Sequence, residues 1–413
     1  MGDRAIIHID INHCFAQIEE MKYPELKHVP MCVGGKEETR NGIVLARNLK
    51  AKAYGIKTAE SLRDAYRKCP ELLVINPSYD DYQYYSDLIK GVYREYTDDV
   101  ESFGIDEAWL DVSASQRLFG SASKIGKEIQ ERVLKEFGIT VSVGVSFNKI
   151  FSKLGSDMTK PSGFHVITKD NYKEVIWDLP ASELLYVGPK TYPKLQKLGI
   201  DTIGELAQFD VNILKKQLGK HGEMIWAFAN GLDESDVDNT NPLPKSIGNG
   251  ITTPRNIETF LELKQVLYVL IESVASRMKD KNLEGTTISV TLRDTDLVSM
   301  SRHLTVDYPT DLVSDIMNHA LKILKEKFEF QPPYRSVTIT VSNLKMKADG
   351  YQIDLFDDPL RKHKDYTLDK TLSKLRAKHG FTIIKRASML LNEELTNFDP
   401  KGSHTIYPRG FFK

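Results

Sequence analysis

Three carboxylates set among apolar residues constrain this chain most. Asp106 and Glu107 stand side by side in Glu101-Ser-Phe-Gly-Ile-Asp-Glu-Ala-Trp-Leu-Asp111, and Asp10 closes the run Ala5-Ile-Ile-His-Ile-Asp10. A charge taken out of water is costly unless it is paired or bound to metal. Three acidic groups at strand ends suit a two-magnesium site for phosphoryl transfer. The same residues also suit an exposed acidic turn at Asp106-Glu107 and a helix cap at Asp10. Adjacent strand residues face opposite ways, so the metal reading needs a bend at Asp106. Gly104 offers a place for one.

The rest of the chain supplies a frame for these groups. The first 167 residues alternate strand and helix signals. Ile6, Ile7, Ile9 and Ile11 read as a buried strand, residues 13–21 as a helix and 42–47 as a strand. Tyr85, Leu88, Ile89, Val92, Tyr93 and Tyr96 fall on one helical face, and Ile125, Ile129 and Val133 mark a second helix. Between them, residues 100–112 read as two strands meeting near Asp106. Val141, Val143 and Val145 alternate in a strand, followed by a helix over 148–158 and a strand over 164–167. The sum is a β-α-β-β-α-β layout with residues 13–77 inserted after the first strand. Such a sheet brings Asp10 beside the central hairpin.

From Leu179 the pattern changes to short helices at 182–185, 191–197, 203–207 and 211–218. The polar stretch 233–244 reads as a linker. Strands at 288–292, 299–306 and 337–341 then alternate with helices near 260–279 and 311–328, a separate α+β domain. A lone apolar pentapeptide, Gln352-Ile-Asp-Leu-Phe356, precedes a helix over 367–378.

Bulk properties exclude little. With 413 residues the chain holds two to four domains. A formal net charge of −1 announces no global basic excess, although a basic groove can be balanced by acidic surface elsewhere. Cys14, Cys32 and Cys69 form no C-x-x-C pair, which fits a reduced compartment. No apolar run approaches a membrane span, so a soluble, cytoplasmic protein is expected.

Five ordered segments resemble the motifs of Y-family DNA polymerases, the lesion-bypass enzymes, and most closely the bacterial DNA polymerase IV branch. They are His8-Ile-Asp-Ile-Asn-His-Cys-Phe-Ala-Gln-Ile-Glu19, Gly42-Ile-Val-Leu-Ala-Arg-Asn-Leu-Lys-Ala-Lys-Ala-Tyr-Gly55, Gly104-Ile-Asp-Glu-Ala-Trp-Leu-Asp111, Ser142-Val-Gly-Val-Ser-Phe-Asn-Lys149 and Ser156-Asp-Met-Thr-Lys-Pro-Ser-Gly163. The resemblance implies an α+β multidomain right-hand polymerase. Its ferredoxin-like palm would be residues 1–12 and 78–167, small fingers 13–77, a helical thumb 168–233, a linker 234–244, an α+β little finger 245–345 and a tail 346–413.

By motif position, the resemblance makes Asp10, Asp106 and Glu107, helped by the carbonyl of Ile11, the ligands of two magnesium ions. Nucleotide contacts fall on His13, Cys14, Phe15, Leu49, Lys52 and Lys160, with Phe15 as the steric gate that excludes a ribose 2′-hydroxyl. Leu49 replaces a usual tyrosine, Lys52 a usual arginine, and Gly104 a usual serine. In the thumb, Leu185-Tyr-Val-Gly188 resembles a helix-hairpin-helix turn with Tyr186 in place of its first glycine. DNA contacts are expected at Gly188, Lys190, Arg255, Arg302 and Arg335. The pentapeptide resembles a sliding-clamp-binding motif carried by Gln352, Leu355 and Phe356. Implied partners are primer–template DNA, dNTP and the clamp, with a monomeric, template-directed, low-fidelity polymerase as the function. A non-catalytic DNA- or clamp-binding protein keeping the fold is the alternative. A nucleotide cyclase on a similar palm would leave the thumb and the pentapeptide unexplained.

Overall fold

A computed structural model describes residues 4–35, 42–240, 243–329, 331–347 and 359–400, which fall into two compact units. The first contains β1 (Ile6–Ile11), β2 (Met31–Gly34), β3 (Val44–Arg47), β4 (Leu73–Ile75), β5 (Val100–Ser102), β6 (Glu107–Asp111), β7 (Val141–Ser146) and β8 (Phe164–Ile167). Its main sheet runs β5-β6-β1-β7-β8. All neighbours are antiparallel except β7 and β8. With helices Tyr79–Arg94 and Ala122–Phe137 as crossovers, β1, β5, β6 and β7 form the expected split β-α-β-β-α-β unit.

The period of two in β1 sorts its residues between two cores. Ile7, Ile9 and Ile11 pack with Ile89, Val92, Ile125 and Ile129 of the crossover helices. Ile6, His8 and Asp10 fall on the other face of the strand, where helix Lys149–Met158 lies. That helix packs directly on β7 at Gly144. A Cβ there would stand 2.0 Å from the Ser152 carbonyl oxygen, so only glycine permits the approach.

A small sheet, β3-β2-β4, carries helices Leu49–Ala53 and Leu62–Lys68 around Cys32, Ile56, Leu62 and Cys69. Past β8 come short helices, among them Tyr192–Gln196, Ile203–Gln208 and Val211–Leu218, around Leu195, Ile203 and Leu214. Two helices of this region, Tyr172–Ile176 and Lys220–Ala229, were not expected from the sequence. The second of them starts directly after Gly219, whose positive φ of 66° ends the preceding helix.

The second unit contains β9 (Ser246–Ile257), β10 (Leu283–Asp294), β11 (Ser299–Thr310) and β12 (Tyr334–Met346) in the antiparallel order β11-β10-β12-β9. Helices Phe260–Asp280 and Val313–Lys327 cover one face. Strand β9 was missed in the sequence because Gly248, Gly250 and Pro254 are poor strand formers. Both glycines lie opposite threonines of β12, where a Cβ would collide with Thr338 or Thr340. The tail helix is longer than expected, Pro359–His379. Beyond it Leu395 enters the core of this unit, and buried Glu272 is gripped by Arg376 and Arg386, each at 2.9 Å. The pentapeptide with Gln352, Leu355 and Phe356 lies outside the described residues. No described helix is long and apolar enough to cross a membrane.

Candidate active site

Strand pairing sets Asp10 directly opposite Glu107. Asp106 lies just outside β6, in the bend that begins at Gly104, whose φ is 87°. The Ile11 N–H fixes the bend by donating to the Asp106 carbonyl at 2.9 Å. Asp10, Ile11, Asp106 and Glu107 line one cavity of about 360 Å³. His13, Cys14 and Phe15 line it from the start of helix Cys14–Lys22, and Leu49 and Lys52 from helix Leu49–Ala53. Lys160, just past helix Lys149–Met158, lines it too. All ten residues expected around metal and nucleotide are thus gathered in one place.

The carboxylates are not left alone. Lys160 Nζ lies 2.7 Å from Asp10 and 2.8 Å from Asp157. Lys153 Nζ, from the same helix, lies 2.7 Å from Glu107, 2.9 Å from Asp157 and 3.7 Å from Asp10. His8, fully buried, sets Nε2 3.1 Å from Glu107 and Nδ1 2.7 Å from the Ser156 hydroxyl. Burial and Lys153 push the His8 ring down to about 4, so it is neutral at physiological pH. A neutral ring donates from Nε2 to Glu107, while Nδ1 faces the Ser156 hydroxyl, which donates to the Lys153 carbonyl at 2.8 Å.

Burial pushes Asp10 up to about 7 against the pull of Lys160. Burial and the Glu107 charge also raise Asp106. For Glu107 burial acts upward, but the His8 hydrogen bond and the Lys153 ammonium outweigh it and hold the group well below the usual carboxylate range.

The donor set suits a hard divalent cation: three carboxylates and a backbone carbonyl, all oxygen. Among the described residues no three such side chains converge on one point, and Lys160 and Lys153 pair with Asp10 and Glu107. Asp106 has no ion-pair partner among the described residues, and a metal would neutralise it.

Comparison with known proteins shows the family. A model of the impB/mucB/samB family matches residues 9–157, its C-terminal domain matches 244–355, and a model described as the DNA polymerase-iota thumb domain matches 182–233. DNA polymerase IV of Acetivibrio thermocellus is 41% identical over 394 residues, covering 95% of this chain and 99% of that protein. DNA polymerase IV of Clostridium acetobutylicum is 35% identical, with 95% and 99% covered. The chain belongs to the Y family of DNA polymerases. A Y-family DNA polymerase chimera of 23% identity shares its fold, with a TM-score of 0.73 over 83% of this chain and all of that one. By family it is a DNA-directed DNA polymerase of the translesion class, built as palm, fingers, thumb and little finger.

Four residues beside the cavity escaped the sequence reading. His8 and Lys153 contact Glu107, while Ser156 braces His8 and Asp157 pairs with Lys153 and Lys160. The spacing of Lys153 and Asp157, one helical turn apart, was the available signal. Arg47 lines the cavity, with one guanidinium nitrogen donating to Thr58 at 2.7 Å and its buried Nε without a partner.

The expected DNA contacts are scattered differently. Gly188 and Lys190 are exposed in the turn before helix Tyr192–Gln196. Tyr186 keeps the left-handed φ of 72° that a glycine would take there. The Arg255 guanidinium, about a third exposed, meets Glu262 at 2.8 Å, Glu394 at 3.0 Å and Asn392 at 3.0 Å. Arg302 falls in register with Val290 on the helix-covered side and stacks on Phe328 at 5.8 Å. Arg335 is half-buried in β12. The opposite side of the sheet is instead lined mostly by small residues, with His303 among them, in cross-strand rows. Gly250, Thr338, Thr291 and Ser301 form one row, and Gly248, Thr340, Ser289 and His303 the next.

Proposed function

We propose that the chain extends a primer strand on a DNA template by nucleotidyl transfer from dNTP, using two magnesium ions and tolerating damaged templates. The observation that carries this reading is the joint lining of one cavity by three carboxylates and by Arg47, Lys52 and Lys160. Asp10, Asp106, Glu107 and the Ile11 carbonyl would hold the ions, whose chemistry is to acidify the primer 3′-hydroxyl and neutralise the triphosphate. Arg47, Lys52 and Lys160 receive the phosphates, the arginine in a planar fork and the lysines as point charges. Lys160 exchanges its contact with Asp10 for one with the incoming anion.

Phe15 acts as the sugar gate. Its ring stacks on Tyr82, with centroids 4.3 Å apart and planes at 11°, while the Tyr82 hydroxyl donates to Glu19 at 2.7 Å. A ring held this way cannot yield to a 2′-hydroxyl. Leu49, half exposed at the cavity, lacks a hydroxyl to offer the triphosphate, so nucleotide binding is weaker than with tyrosine there.

The hydroxyl-lined face of the little-finger sheet supports a sequence-independent DNA track, since small hydroxyls and glycine let a phosphate backbone approach closely. Lys190 and the exposed N–H groups of the thumb turn serve the same backbone. The pentapeptide at 352–356 is read as the sliding-clamp tether of a monomeric, cytoplasmic enzyme. Primer extension on intact and lesion-bearing templates tests the reading. Magnesium-dependent extension supports it, and inactivity with clamp and DNA both present would favour a non-catalytic binder.

A further inference from the structure

Helix Tyr79–Arg94 carries a buried lysine that no step above uses. Lys90 is 5% exposed, and its Nζ donates to the Gly104 carbonyl at 2.8 Å. One turn earlier the buried Ser86 hydroxyl donates to the Ile105 carbonyl. Residues four apart share a helical face, so a single face of this helix holds two consecutive carbonyls of the turn that leads into Asp106. From the other side the Ile11 N–H holds the Asp106 carbonyl at 2.9 Å.

An ammonium is costly to bury, and a methionine or leucine would fill the same space at no charge penalty. Among the described residues Lys90 has no carboxylate at ion-pair distance. Asp106 and Asp87 are the acidic groups that act on it from further off. The Gly104 φ of 87° turns the backbone so that its carbonyl reaches Lys90, a conformation in which a side chain is strained. The lysine therefore ties down a backbone turn that leads directly into Asp106.

We propose that Lys90, assisted by Ser86, is the positioning residue for Asp106: it holds the 104–106 turn so that the Asp106 carboxylate meets the metal ions opposite Asp10. The inference rests on the metal reading of Asp10, Asp106 and Glu107. Neither residue touches substrate, so the effect is on metal engagement and not on nucleotide contact.

The experiment compares Lys90→Met, Lys90→Arg and Ser86→Ala with the wild type and with Asp106→Asn. Two quantities are read: the magnesium concentration giving half-maximal primer extension, and calcium-dependent dNTP binding to the stalled protein–primer–template complex. Thermal midpoints check folding. Lys90→Met is expected to raise half-saturating magnesium about tenfold and weaken calcium-dependent dNTP binding, in the range of outer-shell substitutions at metal sites. Ser86→Ala shifts both less, and Lys90→Arg restores both. Should Lys90→Met not fold, Ser86→Ala against wild type decides. Wild-type metal dependence in the lysine and serine variants, with both readouts lost in Asp106→Asn, overturns the positioning role and leaves the metal reading standing. Magnesium-dependent extension by Asp106→Asn at the wild-type rate overturns the metal reading, and the inference with it.

Discussion

Lys160 Nζ stands 2.7 Å from Asp10 Oδ2, although the two residues are 150 positions apart in the chain. The contact joins the end of β1 to the loop after helix Lys149–Met158. It places the cation expected to meet a triphosphate on a carboxylate expected to meet a metal. The site thus carries its own counter-ion before substrate arrives.

The first consequence is a pH dependence of metal affinity. Burial holds Asp10 near 7, and a divalent cation takes only the deprotonated carboxylate. Magnesium affinity therefore rises with pH below about 7 and levels above it, at most about tenfold per pH unit for one proton released. Half-saturating magnesium in primer extension, measured from pH 6 to 8.5, is expected to fall and then flatten. A curve flat throughout would count against Asp10 as a ligand.

Sugar selection should depend on Phe15. Phe15→Ala opens the space beside the stacked Tyr82 ring, and ribonucleotide incorporation relative to deoxyribonucleotide is expected to rise on the order of a hundredfold. Single-nucleotide insertion kinetics measure the ratio. An unchanged ratio would make Phe15 an ordinary core residue.

Triphosphate binding should improve when lost donors are restored. Leu49→Tyr with Lys52→Arg adds a hydroxyl and a guanidinium fork to the cavity wall. The dNTP KM is expected to fall about tenfold, the size of one charge-assisted hydrogen bond, with kcat little changed.

A stability prediction concerns the second unit. Burial acts upward on Glu262, but hydrogen bonds from Arg255 and from the Glu258 and Thr259 backbone outweigh it and bring the group down to about 2. Its folded value lies below its unfolded one, so its stabilising effect is full above about pH 4.5 and is lost as pH falls toward 2. Glu262→Gln should cost about 1 kcal/mol at pH 7, chiefly through the helix cap it shares with Thr259, and show a shallower acid loss than wild type in urea unfolding.

Much of this was legible in the chain, for identifiable reasons. Asp10, Asp106 and Glu107 drew notice as carboxylates set in apolar runs, but spacing left an acidic turn and a helix cap open. Only the resemblance to Y-family motifs favoured the metal reading, with Gly104 offering a place for the bend. The split β-α-β-β-α-β order followed from hydrophobic periodicity in segments long enough to show it. The layer beneath the carboxylates was not legible. His8 read as one more member of a buried strand. Lys153 and Ser156 reach the site only because Gly144 lets their helix approach β7, a contact between distant segments that no local pattern encodes. The hydroxyl face of the second sheet was missed because alternating Ser, Thr and Gly leave no mark in a search for apolar periodicity. Nor does sequence reveal that Glu262 and Glu394 converge on Arg255.

The central claim is that Asp10, Asp106 and Glu107 form the metal-binding centre of a template-directed polymerase. Primer extension with magnesium by wild type and by Glu107→Ala tests it most directly. The expected result is extension by the wild type and a loss of at least about a thousandfold in the variant, the scale on which electrostatic stabilisation of a transition state acts. Extension by Glu107→Ala at the wild-type rate would contradict the claim.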